Sequence, residues 1–124
     1  MERNGKTGIP RLINAFRYSV AGFKAAWKNE EAFRQETILA IFVIPAGLWL
    51  GTTCAERALL VAIYMMIPLI ELINSAIESI VDRMGSERHV LAGRAKDMGS
   101  AAVFLIICVA LIVWCLIAYT RFFT

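Results

Sequence analysis

The chain has 124 residues, 59% of them hydrophobic and 19% charged, with a mean hydropathy of +0.64. A soluble domain is nearer to about half apolar and about a quarter charged, and a chain this short holds one domain, so a separate soluble catalytic module is excluded. The formal charge of +3, from 13 Lys and Arg against 10 Asp and Glu, is too small to point to nucleic acid, and its placement carries more than its sum.

In chain order, Ile9, Leu12, Ile13, Phe16, Val20, Phe23 and Trp27 recur at steps of three and four residues, with Arg11, Asn14, Arg17, Lys24 and Lys28 around the other side. This predicts an amphipathic helix over 9–28, lying flat on a membrane with its apolar face in the acyl boundary. Thr37 to Ala55 is uncharged and contains Pro45 and Gly47; a first span is expected over 34–55. Ala58 to Ile70 is apolar, and its helical pattern continues past four charges, giving a second span expected over 58–84 that extends beyond the bilayer. Met98 to Tyr119 is uncharged throughout and long enough to cross a hydrocarbon layer of ~30 Å, so a third span is expected over 91–119. The predicted fold is therefore an all-α membrane protein with three spans and an N-terminal surface helix.

Seven Lys and Arg precede the first span (Arg3, Lys6, Arg11, Arg17, Lys24, Lys28, Arg34), and four lie between the second and third (Arg83, Arg88, Arg94, Lys96). Only Arg57 and Arg121 fall on the other side. By the positive-inside rule the N-terminus is expected in the cytoplasm and the C-terminus outside. The apolar runs start too late for a cleaved signal peptide, which makes the chain membrane-resident. The three cysteines, Cys54, Cys108 and Cys115, suggest no disulfide framework; Cys108 and Cys115 share a helix face and read as packing. With a single histidine and no Cys-x-x-Cys, no zinc site is expected.

The second helix carries the chemical signal. At about 100° per residue, Glu71, Asn74, Glu78 and Asp82 occupy only about 80° of its circumference. If the helix enters the hydrocarbon near Ala58, Glu71 lies roughly 9 Å inside the inner boundary, with Glu78 at the boundary and Asp82 in water. A carboxylate inside a bilayer costs about 2.5 to 3.5 kcal/mol, against about 0.3 to 0.6 returned by each apolar residue. An interhelical polar contact or a protonated acid would explain Glu71 alone; three acids along one stripe need more. The third helix opens with Gly93-Arg-Ala-Lys-Asp-Met-Gly-Ser100, and the approach to the first span contains Glu30, Arg34 and Glu36, so ionisable groups from three segments converge at one level. Such a layer suits phosphoryl transfer from a water-soluble donor to a lipid alcohol. Carboxylates bind Mg²⁺, a lysine neutralises phosphate charge, and a deeper carboxylate takes the proton of the attacking hydroxyl. No Walker-type, dinucleotide-type or protein-kinase-type nucleotide motif is present.

Three segments carry a family resemblance: Ala25-Ala-Trp-Lys-Asn-Glu-Glu-Ala-Phe-Arg-Gln-Glu36; Glu71-Leu-Ile-Asn-Ser-Ala-Ile-Glu78 with Asp82-Arg83; and Gly93-Arg-Ala-Lys-Asp-Met-Gly-Ser-Ala-Ala102. At these residues the sequence resembles the prokaryotic integral-membrane diacylglycerol kinases over nearly its whole length. The resemblance implies a homotrimer with active sites shared between neighbours, which transfers the ATP γ-phosphoryl to diacylglycerol and yields phosphatidate in the bacterial inner membrane. By the same resemblance Glu71 would be the general base and Asn74 would orient the reacting groups. Glu30 and Glu78 would hold Mg²⁺ against the nucleotide, and Lys96 would contact phosphate. Arg11, Tyr18, Glu87, Arg88, His89 and Asp97 would line the ATP site. Arg11, Trp27, Arg34, Glu36, Trp49, Arg57, Glu71, Ser100 and Trp114 would follow the lipid. Arg88 departs from the residues the family more often carries there. An undecaprenol kinase of the same fold family is the nearest alternative, and a small proton-coupled transporter the alternative from another class.

Overall fold

The computed structural model describes residues 7–85 and 89–124. Glu87 and Arg88, expected at the nucleotide, lie outside the described residues, as do Arg3 and Lys6 of the charge count. Four helices follow one another: α1 Ile9–Asn29, α2 Glu31–Leu50, α3 Cys54–Arg83 and α4 Val90–Phe123. Among the described residues there is no strand. The last three helices are long and apolar enough to cross a membrane. The architecture is the expected one of three spans behind an N-terminal helix.

Pro10 stands in the first turn of α1, where its fixed φ suits a helix and its missing N–H is not needed. Of this helix only Ala26 is buried, and the apolar row Ile9, Leu12 and Phe16 is largely exposed. The helix stops at Glu30, whose φ of −117° and ψ of 105° make it both the C-cap of α1 and the N-cap of α2. One extended residue thus turns the surface helix into the first span. Arg34 secures the corner by donating from Nη1 to the carbonyls of Trp27 (2.8 Å) and Lys28 (3.1 Å), which the end of α1 leaves without intrahelical partners.

The α2–α3 connection is only Gly51-Thr52-Thr53. A Cβ on Gly51 would lie 2.7 Å from Arg57 Cγ and 2.8 Å from its backbone N, so the close approach requires glycine. Thr53 Oγ1 accepts from Glu56 N at 3.1 Å while Glu56 Oε2 accepts from Thr53 N at 3.3 Å, a reciprocal capping box. This cap is why Cys54 and Ala55, expected at the end of the first span, begin α3 instead. Pro45 and Pro68 both lie inside continuous helices.

Between the spans the core is small. Leu60 is fully covered, and Tyr64, Ile67 and Ala110 pack together with Ala40, Val43 and Ile106. Gly47 lets Trp114 and Leu60 close on α2, at 3.2 and 3.3 Å from where its Cβ would stand. In contrast, α4 buries only Gly99 and Ala110 and leaves Phe104, Leu105, Leu111, Ile112 and Leu116 uncovered. A surface this apolar suits lipid or a second copy of the chain, not water. The cysteines are unpaired; Cys108 is half-buried and Cys115 exposed, so packing accounts for the first alone.

Candidate active site

The polar stripe of α3 is sealed at its deep end and open at the other. Glu71, Asn74 and Ser75 are 8%, 7% and 7% exposed, Glu78 is half-buried and Asp82 is open. Asn74 links the stripe by donating from Nδ2 to Glu78 Oε1 at 3.4 Å, and its amide also faces the Glu71 carboxyl. The carboxylates of Glu78 and Glu30 act on Glu71, which in turn acts on Glu36. Acids from two places in the chain therefore feel one another's charge. Their mutual repulsion in a poorly hydrated setting favours a cation arriving from outside.

Glu30 comes within range of Glu71 because the α1–α2 corner puts it there. A cavity of about 540 Å³ between α1 and α3 is lined by Ser19, Asn29, Glu30, Ser75 and Ser79. Beside it, an apolar groove of about 690 Å³ is lined by Trp27, Phe33, Thr37, Met65, Pro68 and Leu72. Phe23 and Leu72 belong to both. A cavity of mixed polar and apolar lining and a greasy groove thus adjoin, and Leu72, the neighbour of Glu71 in sequence, lines both.

Lys96 stands at the open end, with Nζ 2.9 Å from Asp82 Oδ1, and both side chains are substantially exposed. An exposed pair of this kind contributes little to stability, so a phosphate can compete for the lysine. Asp97 and Ser100 are exposed near the same level of α4. Tyr18 is half-buried on α1, and Arg11 is exposed a little under two turns earlier. His89 acts on its own helix, where its Nδ1 accepts from Leu91 N at 3.0 Å and caps α4.

The residues expected along the lipid divide into two groups. Trp27, Arg34 and Glu36 lie at the charged end; one Glu36 carboxylate oxygen is buried without a partner, and Glu71 is its charged neighbour. Trp49, Arg57 and Trp114 lie at the opposite end, Arg57 about 21 Å from Glu71 along the axis of α3. Arg57 donates from Nε to the carbonyls of Leu48 (3.0 Å) and Gly51 (3.1 Å), and so closes the C-terminus of α2. Trp49 is exposed beneath Arg121, whose guanidinium carbon is 5.1 Å from the ring centroid, with Phe122 at 6.1 Å.

Sequence reasoning missed two residues here, and the partner of a third, Gly99, whose small size suits close helix approach. Tyr64 donates to the Glu36 carbonyl at 2.6 Å and ties α2 to α3. Ser75 lies about 40° around the helix from Glu71, a signal that its polarity in an apolar run offered. Gly99 packs directly on Asn74.

Residues 17–118 match the family model described as prokaryotic diacylglycerol kinase. The chain is 48% identical over 119 residues to a diacylglycerol kinase of Escherichia coli K12, covering 96% of this chain and 98% of that one. It is 50% identical over 108 residues to one from Haemophilus influenzae, covering 87% and 92%. The corresponding figures for one from Pseudomonas aeruginosa are 47% over 110 residues, with 89% of each chain covered. The chain belongs to the prokaryotic diacylglycerol kinase family.

For a diacylglycerol kinase family member the donor set can be tested against the divalent ion that phosphoryl transfer uses. Among the described residues no three His, Cys, Asp or Glu side chains are grouped to hold a metal by themselves. What the site offers is two carboxylates, Glu30 and Glu78, around Glu71. That suits Mg²⁺, which is typically held by one or two protein carboxylates together with substrate phosphates, and does not suit a metal held by protein alone.

Proposed function

We propose that this chain phosphorylates the hydroxyl of sn-1,2-diacylglycerol with the γ-phosphoryl of ATP at the cytoplasmic face of a bacterial inner membrane, as a homotrimer. The observation that carries the reading is Glu71, buried in an apolar helix under the charge of two further carboxylates and adjacent in sequence to Leu72, which lines both the cavity at Glu30 and the apolar groove. The names of the relatives support the substrate class.

In this reading the acyl chains occupy the groove between α1, α2 and α3, which brings the glycerol hydroxyl to the level of Glu71. Glu71 takes the proton of that hydroxyl as its oxygen attacks, and Asn74 holds the carboxyl and the neighbouring Glu78 in register. Lys96 leaves Asp82 for the phosphate oxygens, and its charge offsets what develops during transfer. Glu30 and Glu78 are the carboxylates that would hold Mg²⁺; when bound it neutralises charge on the nucleotide phosphates. Arg11, Tyr18, His89 and Asp97 form the approach for the nucleotide. Arg34 and Arg57 shape the helix ends that the lipid passes, and Trp49 and Trp114 lie toward the ends of its chains.

The test is transfer of radiolabelled phosphate from ATP in mixed micelles containing either dioleoylglycerol or undecaprenol. Labelled phosphatidate with the first alone supports the proposal. Preference for the polyprenol assigns the chain to the sister activity, and proton-driven uptake without ATP in sealed liposomes would move it to transport.

A further inference from the structure

Gly99 sits in the interior of α4, where glycine costs helix stability relative to alanine. Backbone freedom does not explain it, because positive φ among the described glycines occurs only at Gly8 and Gly85. Neither does general crowding, since a Cβ at Gly93, earlier in the same helix, would meet nothing within 4 Å. At Gly99 a Cβ would overlap Asn74 Oδ1 and stand 3.2 Å from Cγ and 3.9 Å from Cβ of the same side chain, with no other residue among its nearest neighbours. Gly99 is buried, one of only two buried residues in α4, so this is where α4 closes on α3.

Asn74 has little freedom to evade such a Cβ. Its side chain is 7% exposed, its Nδ2 is directed to Glu78 and its Oδ1 is buried with no hydrogen-bond donor near it. Turning the amide over would aim Oδ1 at a carboxylate, a contact between two acceptors. The other escape is a change of χ1, which swings the amide away from Glu71 and Glu78 together.

We propose that Gly99 is a positioning residue for phosphoryl transfer: the absence of its side chain leaves the slot in α4 that holds the Asn74 amide between Glu71 and Glu78. The proposal rests on the reading of Asn74 as part of the reacting site. A misplacement of about 1 Å at a reacting centre costs on the order of 100-fold in rate, so the displacement should appear in turnover. The apolar groove does not include Gly99, so lipid binding should be unaffected.

The experiment is a double-mutant cycle on the full chain in mixed micelles with Gly99→Ala, Asn74→Ala and the pair, reading kcat, KM for dioleoylglycerol and thermal midpoint. Gly99→Ala is expected to lower kcat about tenfold or more, within the range that misplacement allows, and to leave KM within about twofold. In the Asn74→Ala background, where the colliding amide is gone, the same substitution is expected to lower neither kcat nor the midpoint further. If Gly99→Ala alone fails to fold, the pair should still fold as well as Asn74→Ala. An equal loss from Gly99→Ala in both backgrounds would show a packing role and overturn the proposal. Full turnover in Gly99→Ala, with Asn74→Ala impaired, overturns the proposal and leaves the site reading standing; full turnover in Asn74→Ala overturns both.

Discussion

Glu71 is the residue on which the chemistry turns, and its surroundings define what should happen when it changes. Glu71→Gln keeps the size and the hydrogen-bonding reach of the side chain but removes the proton acceptor. Turnover in the labelled-ATP assay is expected to fall by about 10²-fold or more, the range for loss of a general base, while nucleotide binding by equilibrium dialysis stays within about twofold. Wild-type turnover would remove Glu71 as the base. Glu78→Gln should instead raise the Mg²⁺ concentration needed for half-maximal rate, by about tenfold, because a carboxylate binds a hard cation far better than an amide does. An unchanged metal titration would take Glu78 out of the ligand set. The alignment of Glu71, Asn74 and Glu78 was legible from spacing alone. The i,i+4 spacing also allows the hydrogen bond from the Asn74 amide to Glu78, whereas the rest of Lys96 on Asp82 was not legible, since a pairing between two helices has no signature in a single sequence.

Among the elements, the short corners do much of the positioning. The α2–α3 turn has its own reciprocal cap, and Thr53→Ala should destabilise the start of α3 by about 1 kcal/mol, the usual cost of losing an N-cap, read as faster amide exchange at Glu56. Glu56, which precedes the uncharged part of α3, is held below the usual carboxylate range, first by the Thr52 hydroxyl, then by the backbone amides of Thr52 and Thr53, with a further contribution from Arg121. A carboxylate whose folded pKa is lowered contributes stability above its unfolded value and loses it as pH falls through the folded one. Protection of the Thr52 and Thr53 amides, measured against the intrinsic exchange rate at each pH, should therefore be high at neutral pH and be lost only on acidification below the usual carboxylate range. The Glu56→Gln variant, whose amide oxygen still accepts but does not titrate, should show lower protection that does not change with pH; a wild-type protection factor that is equally flat would contradict the cap's ionic character. Arg34 and Arg57 show the same principle at the ends of α1 and α2. Both were expected along the lipid, and both guanidinium groups are directed at helix-terminal carbonyls. A lone arginine beside a span looks the same in sequence whether it meets a headgroup or a carbonyl six or nine residues back.

For the whole molecule, the uncovered faces of α4 and the thin core of one chain bear on assembly. In density-matched detergent, sedimentation equilibrium is expected to give three times the 13.8 kDa of one chain, with activity lost on dilution to the monomer. A fully active monomer would end the shared-site reading. What the amino-acid sequence determined by itself was the helical class, the three spans with their preceding amphipathic helix, and the polar stripe of α3. Each of these is written in hydropathy and in a period of about 3.6 residues, and both act between near neighbours along the chain. Only the tertiary structure decided that the one extended residue, Glu30, lines the cavity between α1 and α3, that Gly99 receives Asn74, and that Arg34 and Arg57 close the ends of α1 and α2. Those relations depend on how helices cross and where each turn points its neighbours, and packing between residues distant in sequence settles that, not periodicity.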